Sequence, residues 1–384
     1  MNKTLKFKNG KFTIMTLGDI HEHMITKKEL EVMNDETKLK LRKRADMHRL
    51  VAKGISTFNP DLIVLLGDTL CEKDESEGFK VFREQLTDVL KPILDSGIPF
   101  CYVLGNHEHD NLQEEQIVEA YKQYETMIGV NDETAPRGNF NCNILVKNSE
   151  GTEDILNLWF IDSNNLCDDR ELSMYDWVHQ DQIEWYEKKS KKIADEHKRV
   201  IPAILFQHIP VYEENYVMRE AKFYERPFAA LGHHKFSDKY YMKKPGVKGY
   251  LGEGPCSPMY NAGQFKSWKK MGDVKAAFFG HDHLNDFTGI VRNIILGQNK
   301  TSGFCCYTDG CRSLVRIITV NEENPWKIET SVHHFREFGL KPTCLGPIAG
   351  RITDRQSMAC HAIGKFALIA CGILGIAGII SLLF

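Results

Sequence analysis

The sequence predicts an α/β fold in which strands buried on both faces alternate with helices. Five apolar runs of strand length recur along the chain, namely FTIMTLGD (12–19), DLIVLLGD (61–68), IPFCYVLGNHE (98–108), RVIPAILFQH (199–208) and VKAAFFGHDH (274–283). Their nearly continuous apolarity is typical of strands in a parallel sheet that helices cover on both sides. Three intervening segments, 37–56, 79–95 and 176–197, have apolar residues at helical spacing. This alternation of strands and helices indicates βαβ units.

Each of the five runs ends in polar side chains. In chain order these residues are Asp19, His21, Asp68, Asn106, His107, His208, His281 and His283. Right-handed crossovers place the carboxyl ends of parallel strands along one edge of a sheet, and ligands bind beyond that edge. We therefore expect the eight side chains to converge on a single site.

The remaining segments predict the outline of the chain. After residue 286 come shorter strand-like stretches, which predict an antiparallel or mixed second sheet beside the first. Residues 212–262 are rich in Gly, Pro and aromatic side chains, which predicts an ordered loop insertion with short elements. We expect one folded domain over residues 10–337 and a linker over residues 338–365.

The composition is that of an ordinary soluble globular protein. Of the 384 residues, 42% are hydrophobic and 26% are charged, and the formal net charge of -3 gives no basic footprint for nucleic acid. The eleven cysteines form no CxxC pair, so we expect reduced thiols and no zinc ribbon. The first residues carry lysines and no apolar leader, which argues against a secretory signal.

The last residues contrast with the rest of the chain. Residues 366–384, FALIACGILGIAGIISLLF, contain no charge, and a helix of this length rises about 1.5 Å per residue to nearly span a ~30 Å hydrocarbon core. Arg351, Arg355 and Lys365 precede the segment, and such positive charges favour the cytosolic side. We expect a C-terminal transmembrane tail anchor that contacts the lipid bilayer and leaves the folded domain facing the cytosol.

The eight polar residues suit a pair of metal ions. Carboxylate, amide and imidazole donors without a thiol favour first-row cations such as Fe, Mn or Zn. The set exceeds what one ion uses, and a carboxylate such as Asp68 can bridge two. Two such cations activate a bridging water for in-line attack on phosphorus and neutralise the phosphoryl oxygens. His107, next to Asn106, is the candidate general acid that protonates the departing alkoxide.

The same residues carry a resemblance to a known family. The motifs GDIH (18–21), LLGDTL (65–70), GNHE (105–108), QH (207–208) and GHDH (280–283) resemble, in this order, the five-block signature of calcineurin-like metallophosphoesterases. The stretch GDVKAAFFGHDHLNDFTG is similar to the purple-acid-phosphatase-like branch. The resemblance implies the fold of that family, in which two mixed β-sheets pack as a sandwich flanked by helices, and it implies that residues 10–337 form the catalytic domain.

The resemblance also implies roles for individual residues. One metal would bind Asp19, His21 and His283, a second would bind Asn106, His208 and His281, Asp68 would bridge them, and His107 would donate the proton. The chain departs from purple acid phosphatases proper at Cys71, where they carry the tyrosinate that colours their iron. We therefore do not expect a purple protein, and we expect a dinuclear phosphoric ester hydrolase. Phosphomonoesters are the expected substrates, with phosphodiesters of nucleotides or lipids as the alternative and a non-catalytic scaffold as the third interpretation.

Overall fold

The structure is a computed structural model that describes residues 4–71, 78–110 and 112–345, together with residues 362–364, 366 and 371. The strands in this part of the chain are β1 (Leu5–Lys6), β2 (Lys11–Leu17), β3 (Glu22–His23), β4 (Leu62–Leu65), β5 (Leu70–Cys71), β6 (Phe100–Tyr102), β7 (Cys142–Lys147), β8 (Asp154–Phe160), β9 (Ala203–Gln207), β10 (Met218–Glu220), β11 (Ala230–Leu231), β12 (Tyr240–Lys243), β13 (Val274–Phe279), β14 (Thr288–Val291), β15 (Ile294–Gln298), β16 (Leu314–Asn321) and β17 (Asn324–His334).

Helices connect these strands. The α-helices among the described residues are α1 (Lys27–Val32), α2 (Asp35–Phe58), α3 (Gly78–Val89), α4 (Lys91–Ser96), α5 (Glu114–Tyr121), α6 (Gln180–His197) and α7 (Gln264–Met271). Short 3-10 helices form at Glu108–Asp110, Tyr212–Val217, Phe223–Phe228, His234–Phe236, Gly310–Arg312 and Phe335–Phe338.

Two large mixed sheets dominate the fold. The seven-stranded sheet has the order β1-β7-β8-β9-β13-β15-β14, and its β7–β8 and β14–β15 neighbours are antiparallel. The five-stranded sheet has the order β17-β16-β2-β4-β6, and its β2–β4 and β4–β6 neighbours are parallel. A three-stranded sheet, β10-β12-β11, belongs to the insertion, and β3 pairs with β5.

The two large sheets pack face to face between helices. Along β9, Ile204 and Phe206 lie in the hydrophobic core shared with the five-stranded sheet, whereas Leu205 lies in a second core with residues of α6 and α7. This alternation follows from the two-residue period of a strand. The guanidinium of Arg316 on β16 donates to the carbonyl of Gln298 on β15 at 2.7 Å, which joins the sheets directly. The predicted sandwich of two mixed sheets flanked by helices is confirmed.

All five predicted apolar runs form strands, β2, β4, β6, β9 and β13, but they do not share one sheet. The first three belong to the five-stranded sheet and the last two to the seven-stranded sheet. The expectation of a single parallel sheet was wrong because apolarity reports burial on both faces and does not report which strand is the neighbour. Their carboxyl ends still meet, since the sandwich brings the same end of both sheets together.

The region after residue 286 does not form a separate sheet. The antiparallel pair β14–β15 extends the seven-stranded sheet, while β16 and β17 complete the five-stranded one. Residues 303–310, GFCCYTDG, are one of the strand-like stretches after residue 286, but they form bends that lead into the 3-10 helix at Gly310–Arg312. The β7–β8 hairpin, which joins the seven-stranded sheet, was not predicted.

The predicted helices form with one interruption. The segments 37–56 and 176–197 correspond to α2 and α6, whereas 79–95 is divided between α3 and α4. Leu90 separates these two helices, and Pro92 follows in the first turn of α4, where its missing N–H costs nothing. The insertion is ordered and contains only short elements, as expected.

The predicted linker, 338–365, and tail anchor, 366–384, lie mostly outside the described residues. The first residues of the linker contact α2, because the backbone N–H groups of Thr343 and Cys344 donate to the Asp46 carboxylate at 2.6 and 3.0 Å. Among the residues that the structure describes, no helix has the length and apolarity needed to cross a membrane. The tail anchor therefore stays a prediction.

Candidate dinuclear metal centre

The ligand-bearing strand ends turn sharply. Asp19, His21, Asp68 and His281 all have positive φ values, of 45°, 47°, 52° and 76°. This left-handed region is uncommon for residues other than glycine and is concentrated at functional sites. The backbone at these ends is therefore shaped to aim the side chains inward and not to continue the strand.

Two glycines allow the turns to approach one another. A Cβ on Gly105 would lie 2.2 Å from Oδ1 of Asp68, and one on Gly280 would lie 2.6 Å from the Leu66 carbonyl oxygen. Neither distance leaves room for a side chain. Gly105 is thus required by contact between neighbouring loops of the five-stranded sheet, and Gly280 by contact between loops of the two large sheets.

Six of the expected ligands form two buried groups. Asp19, His21 and His283 form one group, and Asp68, His208 and His281 form the other. Within each group the donor atoms all lie within 4.8 Å of one another. Carboxylates and histidines clustered in this way provide a metal-ion site of the kind that first-row cations occupy.

Asp68 lies between the two groups. Its Oδ2 is 3.2 Å from Nε2 of His21 in the first group and 3.1 Å from Nε2 of His208 in its own group. The expected seventh ligand, Asn106, places its Oδ1 3.1 Å from Nε2 of His208. The structure thus brings together all seven expected ligands, with the carboxylate predicted to bridge at their centre.

Hydrogen bonds from outside the centre orient the imidazoles. The Nδ1–H of His208 donates to the Leu66 carbonyl at 2.6 Å, and the Nδ1–H of His283 donates to the Tyr307 carbonyl at 3.1 Å. Each bond leaves Nε2 as the atom that faces the other donors, as is common for histidines that bind metals. Nε2 of His281 is buried and has no hydrogen-bond partner among the described residues, as expected of an atom reserved for a ligand.

Glu108 holds two of the converging turns together. Its carboxyl oxygens accept from the backbone N–H groups of Asp68, Thr69 and Gly105 at 3.0, 3.1 and 2.7 Å. We refer to this arrangement as the Glu108 clamp. The three hydrogen bonds engage both carboxyl oxygens, so Glu108 orients the backbone next to the expected ligands.

The electrostatics of the centre favour cations. Burial and His208 lower the pKa of His281 well below its usual value, and burial and His21 do the same for His283. Burial disfavours the charged form of His208, but Asp68 outweighs it and raises the pKa of His208 to about 10. Without a cation, that proton balances the Asp68 carboxylate. Cation binding displaces it, so uptake should release protons and weaken as the pH falls.

His107 lies at the rim of the centre. Its ring centroid is 5.2 Å from that of His21, and its side chain is 46% exposed. The backbone N–H of His107 donates to Oδ1 of Asp68 at 2.8 Å, while its Nδ1–H donates to Asp110 at 2.7 Å. The imidazole is therefore held beside the ligands, with access to solvent and to a substrate.

Three residues at the centre were not predicted from the sequence. Asp110 orients His107, Tyr307 stacks on His283 with ring centroids 4.1 Å apart, and Tyr175 meets His281 edge-on at 4.2 Å. The three-residue spacing of His107 and Asp110 within the sequence HEHD could have indicated that Asp110 orients His107. The tyrosines come from loops whose local sequence carries no signal for the site.

The chain is similar to curated proteins over most of its length. It is 25% identical to "Probable inactive purple acid phosphatase 29" of Arabidopsis thaliana, an alignment that covers 82% of this chain and 77% of the relative. It is 28% identical to "Probable inactive purple acid phosphatase 14" of the same plant, over 82% of this chain and 76% of the relative. A third relative, "Probable inactive purple acid phosphatase 28", is 27% identical over 80% and 74%.

A family model matches most of the chain. The model described as "Calcineurin-like phosphoesterase" matches residues 12–285, which begin in β2 and end just after the last expected ligand, His283. The matched region contains all five motifs and both groups of metal-binding residues. The chain therefore belongs to the calcineurin-like phosphoesterase family.

Proposed function

We propose that this protein is a dinuclear-metal-dependent phosphomonoesterase. The observation that carries the proposal is the convergence of two buried His/Asp groups on Asp68, with His107 at their rim. Family membership supports hydrolysis of a phosphoric ester. The purple-acid-phosphatase-like relatives support a monoester as the substrate.

The donor set fits two first-row ions, for which we propose Fe, Mn or Zn. Asp19, His21 and His283 would hold one ion, and Asn106, His208 and His281 would hold the other, with Asp68 shared between them. When bound, such a pair supplies an activated water for in-line attack and charge neutralisation at the phosphoryl oxygens. The chain's own part is to fix these ligands, through the Glu108 clamp and the carbonyl of Leu66.

His107 supplies the proton to the departing oxygen. Because Asp110 accepts from Nδ1, the other ring nitrogen, Nε2, is the one that meets the ester oxygen. Removing a general acid costs about 10²–10⁴ in rate.

A test of this role uses His107→Asn and two substrates. The loss should be much greater for an alkyl phosphate than for a nitrophenyl phosphate, whose leaving group needs no proton. His179→Asn is the matched control, since His179 also pairs with an aspartate three residues away, Asp176, at 2.9 Å. Equal losses on both substrates would show that His107 acts by some means other than proton donation.

The competing interpretations are separable by experiment. The names of the relatives describe them as probably inactive, which favours a binding scaffold. In this chain all seven ligands and His107 are present, which favours an enzyme. A phosphodiesterase would use the same centre, and comparing rates on aryl mono- and diesters distinguishes the two activities.

The decisive assay measures aryl phosphate hydrolysis by the full chain loaded with Mn, Fe or Zn. We expect metal-dependent turnover that Asp68→Ala abolishes. If the wild-type chain binds the metals but releases no more phosphate than Asp68→Ala, the scaffold interpretation is correct. Faster release from the diester than from the monoester would assign a phosphodiesterase.

We also propose that residues 366–384 anchor the protein in a membrane, with the catalytic domain facing the cytosol. The support is the uncharged run of 19 residues and the positive charges before it. A reporter fused to residues 361–384 should be recovered with membranes after alkaline extraction. A soluble reporter would rule the anchor out.

A further inference from the structure

The insertion between β9 and α7 is strongly basic in its middle part. Residues 218–248 contain eight Lys or Arg and three Asp or Glu, a formal net charge of +5, whereas the whole chain has -3. The segment thus carries a net positive charge in a chain whose overall charge is negative. Such asymmetry indicates a binding surface for a negatively charged partner.

Three exposed aromatic side chains belong to the same element, among them Phe223, the most exposed large apolar side chain of the described residues. Phe223 is 82% exposed, Tyr224 is 69% exposed and Phe228 is 38% exposed, all within the 3-10 helix Phe223–Phe228. Ala229 and Ala230, which follow, are buried and secure the helix to the three-stranded sheet through the pairing of Ala230 with Tyr241. We call residues 222–228 the aromatic–basic tip.

The cations of the tip lie against its rings. The guanidinium of Arg226 is 5.6 Å from the ring centroid of Phe223 and 5.3 Å from that of Tyr240. The ammonium of Lys222 is 5.9 Å from the ring of Tyr224. The one acidic residue of the tip, Glu225, is bound by both terminal nitrogens of Arg219 at 2.6 and 2.7 Å. The tip therefore presents aromatic area and positive charge together, with its carboxylate neutralised.

We propose that the aromatic–basic tip and its flanking lysines dock on the anionic surface of a lipid bilayer. Aromatic side chains favour the headgroup region of a bilayer, and lysines and arginines are attracted to anionic lipids. A tip of seven residues is small compared with the roughly 20–30 residues that each partner contributes to a standard protein interface. The uncharged run 366–384 in the same chain favours a bilayer over a soluble acidic partner.

The insertion that carries the tip also contacts the dinuclear centre. In the same insertion, Nε2 of His234 is 3.2 Å from the hydroxyl of Tyr175, whose ring meets His281. The insertion that carries the tip thus reaches the centre through two side-chain contacts, His234 with Tyr175 and Tyr175 with His281. The proposal does not depend on catalysis, because docking requires only the exposed residues.

Hydrogen exchange of the full chain on vesicles tests the docking. The chain is mixed with vesicles of phosphatidylcholine alone or of phosphatidylcholine with phosphatidylserine, and exchange is followed in residues 218–248. We expect protection of these residues on the serine-containing vesicles, less protection at high salt, and little on phosphatidylcholine alone. The test is valid whether or not residues 366–384 insert into the bilayer, because it compares the exchange of residues 218–248 between two vesicle compositions.

The variant Phe223→Ser/Arg226→Ser removes the main ring and one cation. We expect the salt-sensitive affinity for these vesicles to fall by about fivefold for the cation and further for the ring. The matched control is Lys275→Ser/Trp326→Ser, because this pair also places an ammonium 4.6 Å from an exposed ring, outside the insertion. The control should bind as the wild type does.

Three outcomes would overturn the proposal. Residues 218–248 could exchange equally fast with and without phosphatidylserine, or the tip variant could be protected as well as the wild type. Protection by a short oligonucleotide at concentrations where vesicles give none would assign the surface to nucleic acid instead. Unchanged exchange elsewhere in the tip variant verifies that it is folded.

Discussion

Removing the acceptors of the Glu108 clamp should lower the free energy of unfolding, and the hydrogen bonds of the clamp give the size of the loss. Glu108→Met keeps the length of the side chain but removes both acceptors of the three backbone N–H groups, which lie 2.7–3.1 Å away. Each buried donor left without a partner costs about 1–3 kcal/mol, so for three donors we expect a loss of about 3–9 kcal/mol in the free energy of unfolding. Glu108→Gln restores one oxygen, which can serve two of the donors, and should recover part of this loss.

The assay is urea unfolding of the metal-free full chain, followed by tryptophan fluorescence. Glu115→Met is the matched control, because Glu115 is an exposed residue of α5 and such changes stay within about 0.5 kcal/mol. We expect the wild type to be the most stable, Glu108→Gln to be intermediate and Glu108→Met to be the least stable. If Glu108→Met unfolds at the same urea concentration as the control, the clamp does not hold the turns and this reasoning is wrong.

Three further predictions address the centre and its surroundings. Gly105→Ala should lose cation binding, measured by calorimetry, because its Cβ would lie 2.2 Å from Oδ1 of Asp68. Chelation should lower the melting temperature, since a cation at a hundredfold its dissociation constant adds about 2.7 kcal/mol. Burial opposes the charged form of His334, but Asp286 and Glu337 raise its pKa. The stability lost in His334→Gln should therefore be full below about pH 6.5 and shrink as the pH rises. A pH-independent difference, or a chelated protein that melts unchanged, would contradict these expectations.

The site was predictable because its residues follow the strands that carry them. Asp19, Asp68 and His208 each end an apolar run, and a rule about strand ends suffices to bring them together. That rule applied even though the strands divide between two sheets. Both sheets present their carboxyl ends at the same end of the sandwich.

The pairing of strands was not predictable from local patterns. β16 pairs with β2 across about three hundred residues of chain, and nothing in LVRIITVN specifies that partner. The hairpin β7–β8 was missed because β7 is only partly buried and its sequence, CNILVK, carries a weak signal. Tyr175 and Tyr307 reach the centre from loops, where contact depends on tertiary structure alone.

The most direct test of the central claim is the metal content of the purified full chain. We expect about two equivalents of first-row transition metal per chain. Asp68→Asn should lose both, since Asp68 contacts both groups, whereas Asp162→Asn, at another buried strand end, should keep them. One equivalent or none in the wild type, or full occupancy in Asp68→Asn, would contradict the dinuclear centre.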